Sequence, residues 1–597
     1  MDYLKTAVPS QLLQERGSNL VVINPGSANL RIGMASHDSP ISVPHCIARY
    51  TTQTSKLSVK DQVLNSQVTT AQHMDREKAY DVIASLLKIP FLDEEVGNSY
   101  PRKVARVDGY NQQGGKKDAP FAWTIVHESD SNTSETSEDS TNSVEVEPSM
   151  QTDASEEKDK HQNRKAIFGE EALRISPSEP YCLHRPIRRG HLNVSQHYPI
   201  QQVLDDMQSI WEWLLADKLH IPFSQRNTYA AILVLPDAFD NREIREMLNL
   251  VLRHLGFGTA VVHQEGLAAV FGNGLSTACI VNMGAQVTSV ICIEEGVVLP
   301  HTEKMLPYGG EDISRCLLWT QRHHQTWPQM RTDVLTKPID MLMLNKLRES
   351  SCEIKVNFHF QININLNTDC CTQEGELDAV CIVHSYEDGL APGFHKTRLT
   401  ALNVPPMGLF FPTLLVPDVY PLPPRNWFHD YEDVLEDTWH SDYPRRADAS
   451  EGMYPTWENY PVYHSKLTKE EKIGIADAVT TSILSSGRID VQRKLFCSIQ
   501  LVGGVALTAG LIPAVEERVL HSIPSNEAIN TVEVLQSRTN PCFAAWKGGA
   551  ILGILELGRD IWLRREDWIN NGVVIGGAKK YKDSLYIQAQ AMTYLNS

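Results

Sequence analysis

The chain has 597 residues and a formal net charge of −18. That length suits one large two-lobed body or two to four domains, and 42% hydrophobic residues supply a sizeable core. The acidic balance excludes a basic footprint spread over the whole molecule, and eleven Cys without a Cys-x-x-Cys pair read as reduced thiols, neither a disulfide framework nor a zinc site. The opening MDYLKTAVPSQLLQERGSN lacks the apolar stretch of a secretory signal. No run reaches the roughly 20 apolar residues of a membrane span, so an intracellular chain with no membrane partner is expected.

In chain order, the first strand signal is Leu20–Ile23, followed by a turn at Asn24-Pro25-Gly26-Ser27 and a second strand-like run near Leu30. From about Glu128 to Lys160 the chain is rich in Ser, Thr, Glu and Asp and carries about half of the net negative charge. So few aliphatic residues cannot offset the entropy of ordering, and disorder is predicted there. Strands and helices then alternate from Phe168 to about Phe360. Val203–Leu215 has Leu204, Met207, Ile210, Trp211 and Leu214 on one helical face, Ala230–Leu235 reads as a buried strand, Asn241–Leu255 as a helix and Ala278–Val281 as another buried strand. Ala401–Glu458, with its Pro, Trp and Tyr, reads as a long irregular insertion partly ordered by aromatic residues. Leu467–Leu484 is a predicted helix, Cys497–Val502 a buried strand entering Gly503-Gly504, and Ala550–Leu563 a helix.

Two segments echo each other. Val21-Val22-Ile23-Asn24-Pro25-Gly26-Ser27 and Cys279-Ile280-Val281-Asn282-Met283-Gly284-Ala285 each run from an apolar strand into Asn-x-Gly and a second strand. Glycine at such a turn lets a backbone N–H approach an anion closely. The pair reads either as two ordinary hairpins, since Asn-x-Gly is common at turns, or as a duplicated body with a cleft between the turns.

These two hairpins, Leu501-Val502-Gly503-Gly504-Val505-Ala506-Leu507, and Ala545-Trp546-Lys547-Gly548-Gly549-Ala550 occur in the order of four motifs of the actin fold family, which the chain resembles. Val22–Gly33, Ser42–Arg49, Val262-His263-Gln264-Glu265, Gly408–Pro412 and Ala544–Trp568 resemble in particular the actin-related protein 8/9 branch, found in INO-type chromatin-remodelling complexes; Met1–Lys5 resembles its plant side. The resemblance implies an α/β fold of the actin/Hsp70 type, two duplicated lobes around a nucleotide cleft. Its implied limits are a tail at 1–17, a first lobe at 18–272 with the acidic insertion at about 128–163, a second lobe at 273–542 with a Pro/aromatic insertion at about 361–465, and a return to the first lobe at 543–597.

It also implies an ATP cradle from Gly26 and Ser27 in the first loop, Gly284 in the second, Arg31 in place of a phosphate-facing Lys, Arg348 and Glu349 in place of a Lys-Glu pair, and Gly503 and Gly504 at the adenosine turn. The catalytic part is depleted. Both family carboxylates that manage the waters of Mg²⁺ are Asn (Asn24 and Asn282), the next acidic position is Ala285, and an adenine-side Lys is Cys542. The water-positioning Gln aligns with Glu265, or with Gln264 one register away. Asn keeps a hydrogen bond to water but removes a charge opposite a dication. Weak or absent hydrolysis is therefore expected, with no catalytic or metal residues assigned and ATP an admissible ligand.

By resemblance, Phe271, Leu552 and Leu555 line a groove for a helix of a remodelling ATPase, beside actin and other actin-related proteins; ordinary core packing is the alternative. Arg185-Pro186-Ile187-Arg188-Arg189, with His184 and His191, reads as a DNA-phosphate patch or as an internally paired loop, and Glu128–Asp159 as a competitor for histone tails or a solubilising loop. Trp427, Trp439 and Trp457 with Tyr431, Tyr443 and Tyr460 read as an added binding face or as anchors of their insertion. The expected role is a nuclear scaffold subunit, also admissible in the cytoplasm, that aids complex assembly and engagement of histones or linker DNA. The competing expectation is an active actin-like ATPase or a cytoskeletal actin-related protein.

Overall fold

The structure, a computed structural model, describes residues 17–51, 70–87, 164–175, 179–195, 198–299, 301–323, 338–354, 378–383, 393–415, 473–525, 529–555 and 562–570. The acidic segment and the Trp/Tyr cluster of 427–460 lie outside the described residues.

Two six-stranded sheets organise the molecule. The first is built on β1 (Leu20–Pro25), β2 (Asn29–Met34), β3 (Ile41–Pro44), β4 (Ala230–Leu235) and β5 (Thr259–Gln264). The hairpin β1–β2 extends antiparallel to β3, while β1 pairs parallel with β4 and β4 with β5. The second sheet repeats this plan. Its hairpin is β6 (Ala278–Met283) with β7 (Thr288–Glu294), β7 carrying the short β8 (Val297–Val298) and β9 (Lys304–Leu306). Its parallel side is β10 (Ile499–Val502) and β11 (Val534–Leu535). The last strand, β12 (Leu563–Arg564), returns to the first sheet and pairs antiparallel with β5. The sequence echo is thus a structural one. Gly26 N–H donates to Asn29 O at 3.0 Å, and Gly284 N–H donates to Val287 O at 2.9 Å, so the two hairpins close by the same turn.

All six residues of β1 are buried, as expected of a central strand covered on both faces. Val21 and Ile23 pack toward the helices Ile200–Trp213 and Asn241–Asn249, with Met207, Ile210, Trp211, Ile244 and Met247 in the same core. Leu20 and Val22 point the other way, into a middle layer with the helices Glu265–Gly272 and Ala544–Leu555. Ala278 and Ile280 of β6 enter that middle layer too. Cys279, Val281 and Met283 face a third core with Val479, Ile483 and Leu495. The two sheets therefore share one pair of helices between them.

That pairing explains the Trp-Lys-Gly-Gly motif. A Cβ on Gly548 would lie 1.6 Å from Ala268 O, and one on Gly272 would lie 1.9 Å from Ala544 O, so only glycine lets these backbones touch. Trp546 is fully buried and its Nε1–H donates to Val22 O at 3.2 Å, tying the helix Ala544–Leu555 to the first strand.

Several expected boundaries shift. The helix begins at Ala544 and not Ala550, because Ala544–Gly549 packs as helix against Glu265–Gly272. The helix expected from Leu467 is described from Ile475. The first fifteen residues of the expected insertion at 401 are not irregular: Leu399–Met407 is helical with Pro405 and Pro406 inside it, and Ala401, Leu402, Val404 and Leu409 are buried. Two predicted helices end in wider π turns, at Leu214–Lys218 and Leu250–His254. Helix Thr70–Leu87 has no counterpart among the sequence signals. It leaves the first lobe and places Tyr80, Ile83 and Ala84 in the core of the second, where Tyr80 meets Trp319 edge-on at 5.6 Å and Arg76 lies 4.3 Å over the same ring.

Candidate functional site: the cleft between the hairpin turns

The two turns and the C-terminal ends of β4 and β10 face one cleft of about 1050 Å³, counting its open mouth. Ligands of α/β sheets sit at such strand ends. All eight residues expected to cradle a nucleotide line it: Gly26, Ser27, Arg31, Gly284, Arg348, Glu349, Gly503 and Gly504. So do Asn282, Glu265, Ala285 and Cys542.

Gly503 is held at φ 90°, and a Cβ there would meet Met283 O at 2.2 Å, so the turn after β10 can press against the second hairpin only as glycine. Gly504 has open space where its Cβ would be, on the cleft side. His45 supports the first turn. Its Nδ1–H donates to Gly26 O at 3.0 Å, while Nε2 accepts Trp211 Nε1–H at 3.3 Å, which fixes a neutral ring. Burial lowers its pKa to about 4, against the opposing pull of the Gly26 carbonyl.

Asn24 is 1% exposed and its amide is committed: Nδ2 donates to Val234 O at 3.0 Å and to Glu265 Oε1 at 3.2 Å. A carboxylate could make neither bond. In this chain the amide sits at 24 and the carboxylate at 265, so the charge of this contact lies on the helix Glu265–Gly272 and not on the first hairpin. Asp237, which belongs to no motif, sits beside this pair. Its Oδ1 accepts Gly266 N–H at 2.9 Å and its Oδ2 accepts Ser289 Oγ–H at 2.7 Å, so one carboxylate bridges the two sheets. Burial and then the Glu265 charge raise its pKa to about 7. Its only sequence signal was its place just after the Leu235-Pro236 strand end.

The donor set fits a polyphosphate. Arg31 Nε and Arg348 Nη1 are buried and have no hydrogen-bond partner in the protein, and Arg348 Nη2 is braced on Glu349 Oε1 at 2.9 Å. Two guanidinium groups with spare donors and two glycine turns suit anionic oxygens. Among the described residues no group of three or more His, Cys, Asp or Glu side chains is arranged to hold a metal ion.

The other expected surfaces turn inward. Phe271 and Leu552 are 4% and 1% exposed, packed in the layer shared by the two sheets, and only Leu555 keeps partial exposure. They are core of the helix pair and not the lining of an open groove. The Arg185–Arg189 run does not form a DNA-facing patch either. Arg189 is buried against Asp312 with nitrogen–oxygen distances of 2.6 and 2.7 Å, Arg185 faces Glu311 at 3.6 Å, and His184 binds the buried Asp206 at 2.7 Å.

The family model described as Actin matches residues 136–579. The chain belongs to the actin family. Actin-related protein 9 of Arabidopsis thaliana is 57% identical over 100% of this chain and 98% of its own length. Actin-related protein 9 of Oryza sativa subsp. indica is 55% identical over 100% of both. Actin-related protein 8 of Bos taurus is 27% identical over 94% of this chain and 92% of its own. A solved structure described as human actin-related protein Arp8 in its ATP-bound state superposes with a TM-score of 0.68 at 25% identity, over 95% of this chain and 97% of that one. The duplicated sheets and inter-lobe cleft are those of the actin fold, and the family resemblance read from the four motifs holds over the full length.

Proposed function

We propose that this chain is an actin-related scaffold subunit of a nuclear chromatin-remodelling complex of the INO type, and that it keeps ATP in its cleft with little or no hydrolysis. The observation that carries the reading is the unequal fate of the two halves of the site. The glycine turns and arginines that cradle phosphate are in place, while Asn24 is tied to Val234 and Glu265 and offers no charge to a metal. Phosphoryl transfer rests on positioning and on neutralising charge, so loss of the metal-facing carboxylates slows turnover more than binding. The similarity to a relative solved in its ATP-bound state supports retention of the nucleotide. The chain serves assembly, joining a remodelling ATPase, actin and other actin-related proteins and bringing the complex to histones or linker DNA.

Two measurements test this. Denatured full-length protein is assayed for released nucleotide, and fresh ATP for turnover. Tagged protein is then recovered from nuclear extract at moderate salt and its companions identified. Bound ATP with negligible turnover, and a remodelling ATPase among the companions, are expected. Rapid Mg²⁺-dependent hydrolysis, or purely cytoskeletal companions, would overturn the reading.

A further inference from the structure

Arg189 and Gly190 form the two-residue turn between the short strands Ile187–Arg188 and His191–Leu192, with φ of 49° and 78°. Both residues lie in the left-handed region, as a type I′ turn requires, and its first position favours Asn, Asp or Gly. Arginine is a poor choice for that backbone, so its side chain must account for it. The strands belong to the first lobe, where Ile187 and Leu192 are buried in its core. The hydrogen bonds of Arg189 to Gln286, Pro307 and Asp312 reach across to the second. Its guanidinium forks onto Asp312, Nη1 also donates to Gln286 O at 2.5 Å and Pro307 O at 3.2 Å, and its backbone N–H donates to Gln286 Oε1 at 2.9 Å. Gln286 passes the contact on, donating Nε2–H to Glu311 Oε2 at 2.9 Å. Gln286 is the residue two after Gly284 in the second hairpin turn, and the cleft wall contains Gly190, Gln286 and Glu311.

We propose that Arg189 is a positioning residue that pins the second phosphate loop and latches the first lobe to the second, so that nucleotide leaves the cleft slowly. The part concerning nucleotide rests on the ATP reading above. Parting the lobes at this wall must break a buried fork in which two parallel N–H donors meet one carboxylate, and no single water replaces that geometry. Lysine keeps the charge but not the fork. Asp312 also receives Gly309 N–H at 2.9 Å and Arg315 Nη1 at 3.4 Å, so it stays paired when Arg189 is removed and the helix Gly310–His323 keeps its start.

The test compares full-length wild type with Arg189→Ala, Arg189→Lys and Asp312→Asn. The first readout is amide hydrogen exchange in the nucleotide-free chain, over 283–290 and 308–314. Gly284, Gly310 and Glu311 N–H there donate to Val287, Gly284 and Ala285 carbonyls. The second is the release rate of a fluorescent ATP analogue. Loop exchange and release are each expected to rise at least tenfold in Arg189→Ala and Asp312→Asn and less in Arg189→Lys, while exchange over 544–555 stays unchanged. Unaltered loop exchange in both Arg189→Ala and Asp312→Asn would overturn the pinning. Faster loop exchange with unaltered release would overturn the latch. A wild type that binds no ATP overturns the nucleotide reading, and the exchange comparison then still decides the pinning. If Arg189→Ala fails to fold, Arg189→Lys carries the comparison, because it removes the fork and leaves the Asp312 contacts to Gly309 and Arg315 in place.

Discussion

Restoring an acid at position 24 should destabilise this protein, and the cost follows from the contacts of Asn24. Asn24→Asp removes the donor to Val234 O, which is buried within the strand end 3.0 Å away. An orphaned buried acceptor costs about 1–3 kcal/mol. The second bond, 3.2 Å to Glu265 Oε1, becomes a contact between two carboxylates. Two like charges near 4 Å repel by about 4 kcal/mol at an effective dielectric of 20. Arg31 Nη1, which donates to Asn24 Oδ1 at 3.5 Å, offsets much of that repulsion, so the single variant should lose about 3 kcal/mol, still a large share of the 5–15 kcal/mol that holds a typical domain. Glu265→Gln alone should be mild, since Gln Oε1 still accepts from Asn24. Combined with Asn24→Asp it removes the repulsion and recreates the contact with donor and acceptor reversed. Urea unfolding of the four proteins closes a double-mutant cycle, with an expected coupling in favour of the pair. Additivity within about 0.5 kcal/mol would refute this account of the contact. The same cycle reports on Asp237. Losing the Glu265 charge should bring its pKa down from about 7, visible by carboxyl NMR.

Gly548→Ala forces a Cβ to 1.6 Å from Ala268 O, and the helices must separate. Overpacking of about 1–3 kcal/mol or more outweighs the gain in helix propensity of about 1 kcal/mol, so the thermal midpoint should fall by several degrees, and a rise would contradict the packing. At His184, burial pulls the pKa down but the hydrogen bond and charge of Asp206 outweigh it and raise it to about 9. A raised histidine pKa stabilises fully below the unfolded value of 6.5 and loses that contribution as pH rises toward 9, so stability should decline across that window and His184→Asn should flatten the decline. Cys542 lines the cleft half-buried, and burial pushes its thiol above the ordinary range. ATP should slow its alkylation by iodoacetamide several-fold while leaving Cys182 and Cys497 unchanged, and equal labelling would place the nucleotide elsewhere.

The strands were legible because they rest on local signals: continuous apolar runs marked β1, β4, β6 and β10. The Asn-x-Gly turns alone left ordinary hairpins open, and the cradle residues were legible only through the family resemblance. What stayed hidden depends on partners far along the chain. Arg189 reads as one more basic residue until Asp312, 123 residues away, is seen across from it. Phe271 and Leu552 can be read as groove or as core from the sequence, and the choice falls to core only when the second sheet is seen to cover the helix pair. Helix Thr70–Leu87 has only a weak one-sided pattern, and among its described side chains the buried ones are Arg76, Tyr80, Ile83 and Ala84. Asp237 belongs to no motif, and its role comes from a strand end meeting Ser289 of the other sheet.

The helix Thr70–Leu87 and the Trp546 bond to Val22 have a consequence for how the chain is made. Trp319, which receives Tyr80, is synthesised more than 200 residues after it, and Trp546 follows Val22 by 524. Each lobe thus needs a segment from beyond its own stretch of chain, as a shoe needs both ends of its lace. The first lobe should not mature as a free unit on the ribosome, because the layer shared by the two sheets stays open until the helix Ala544–Leu555 has been made.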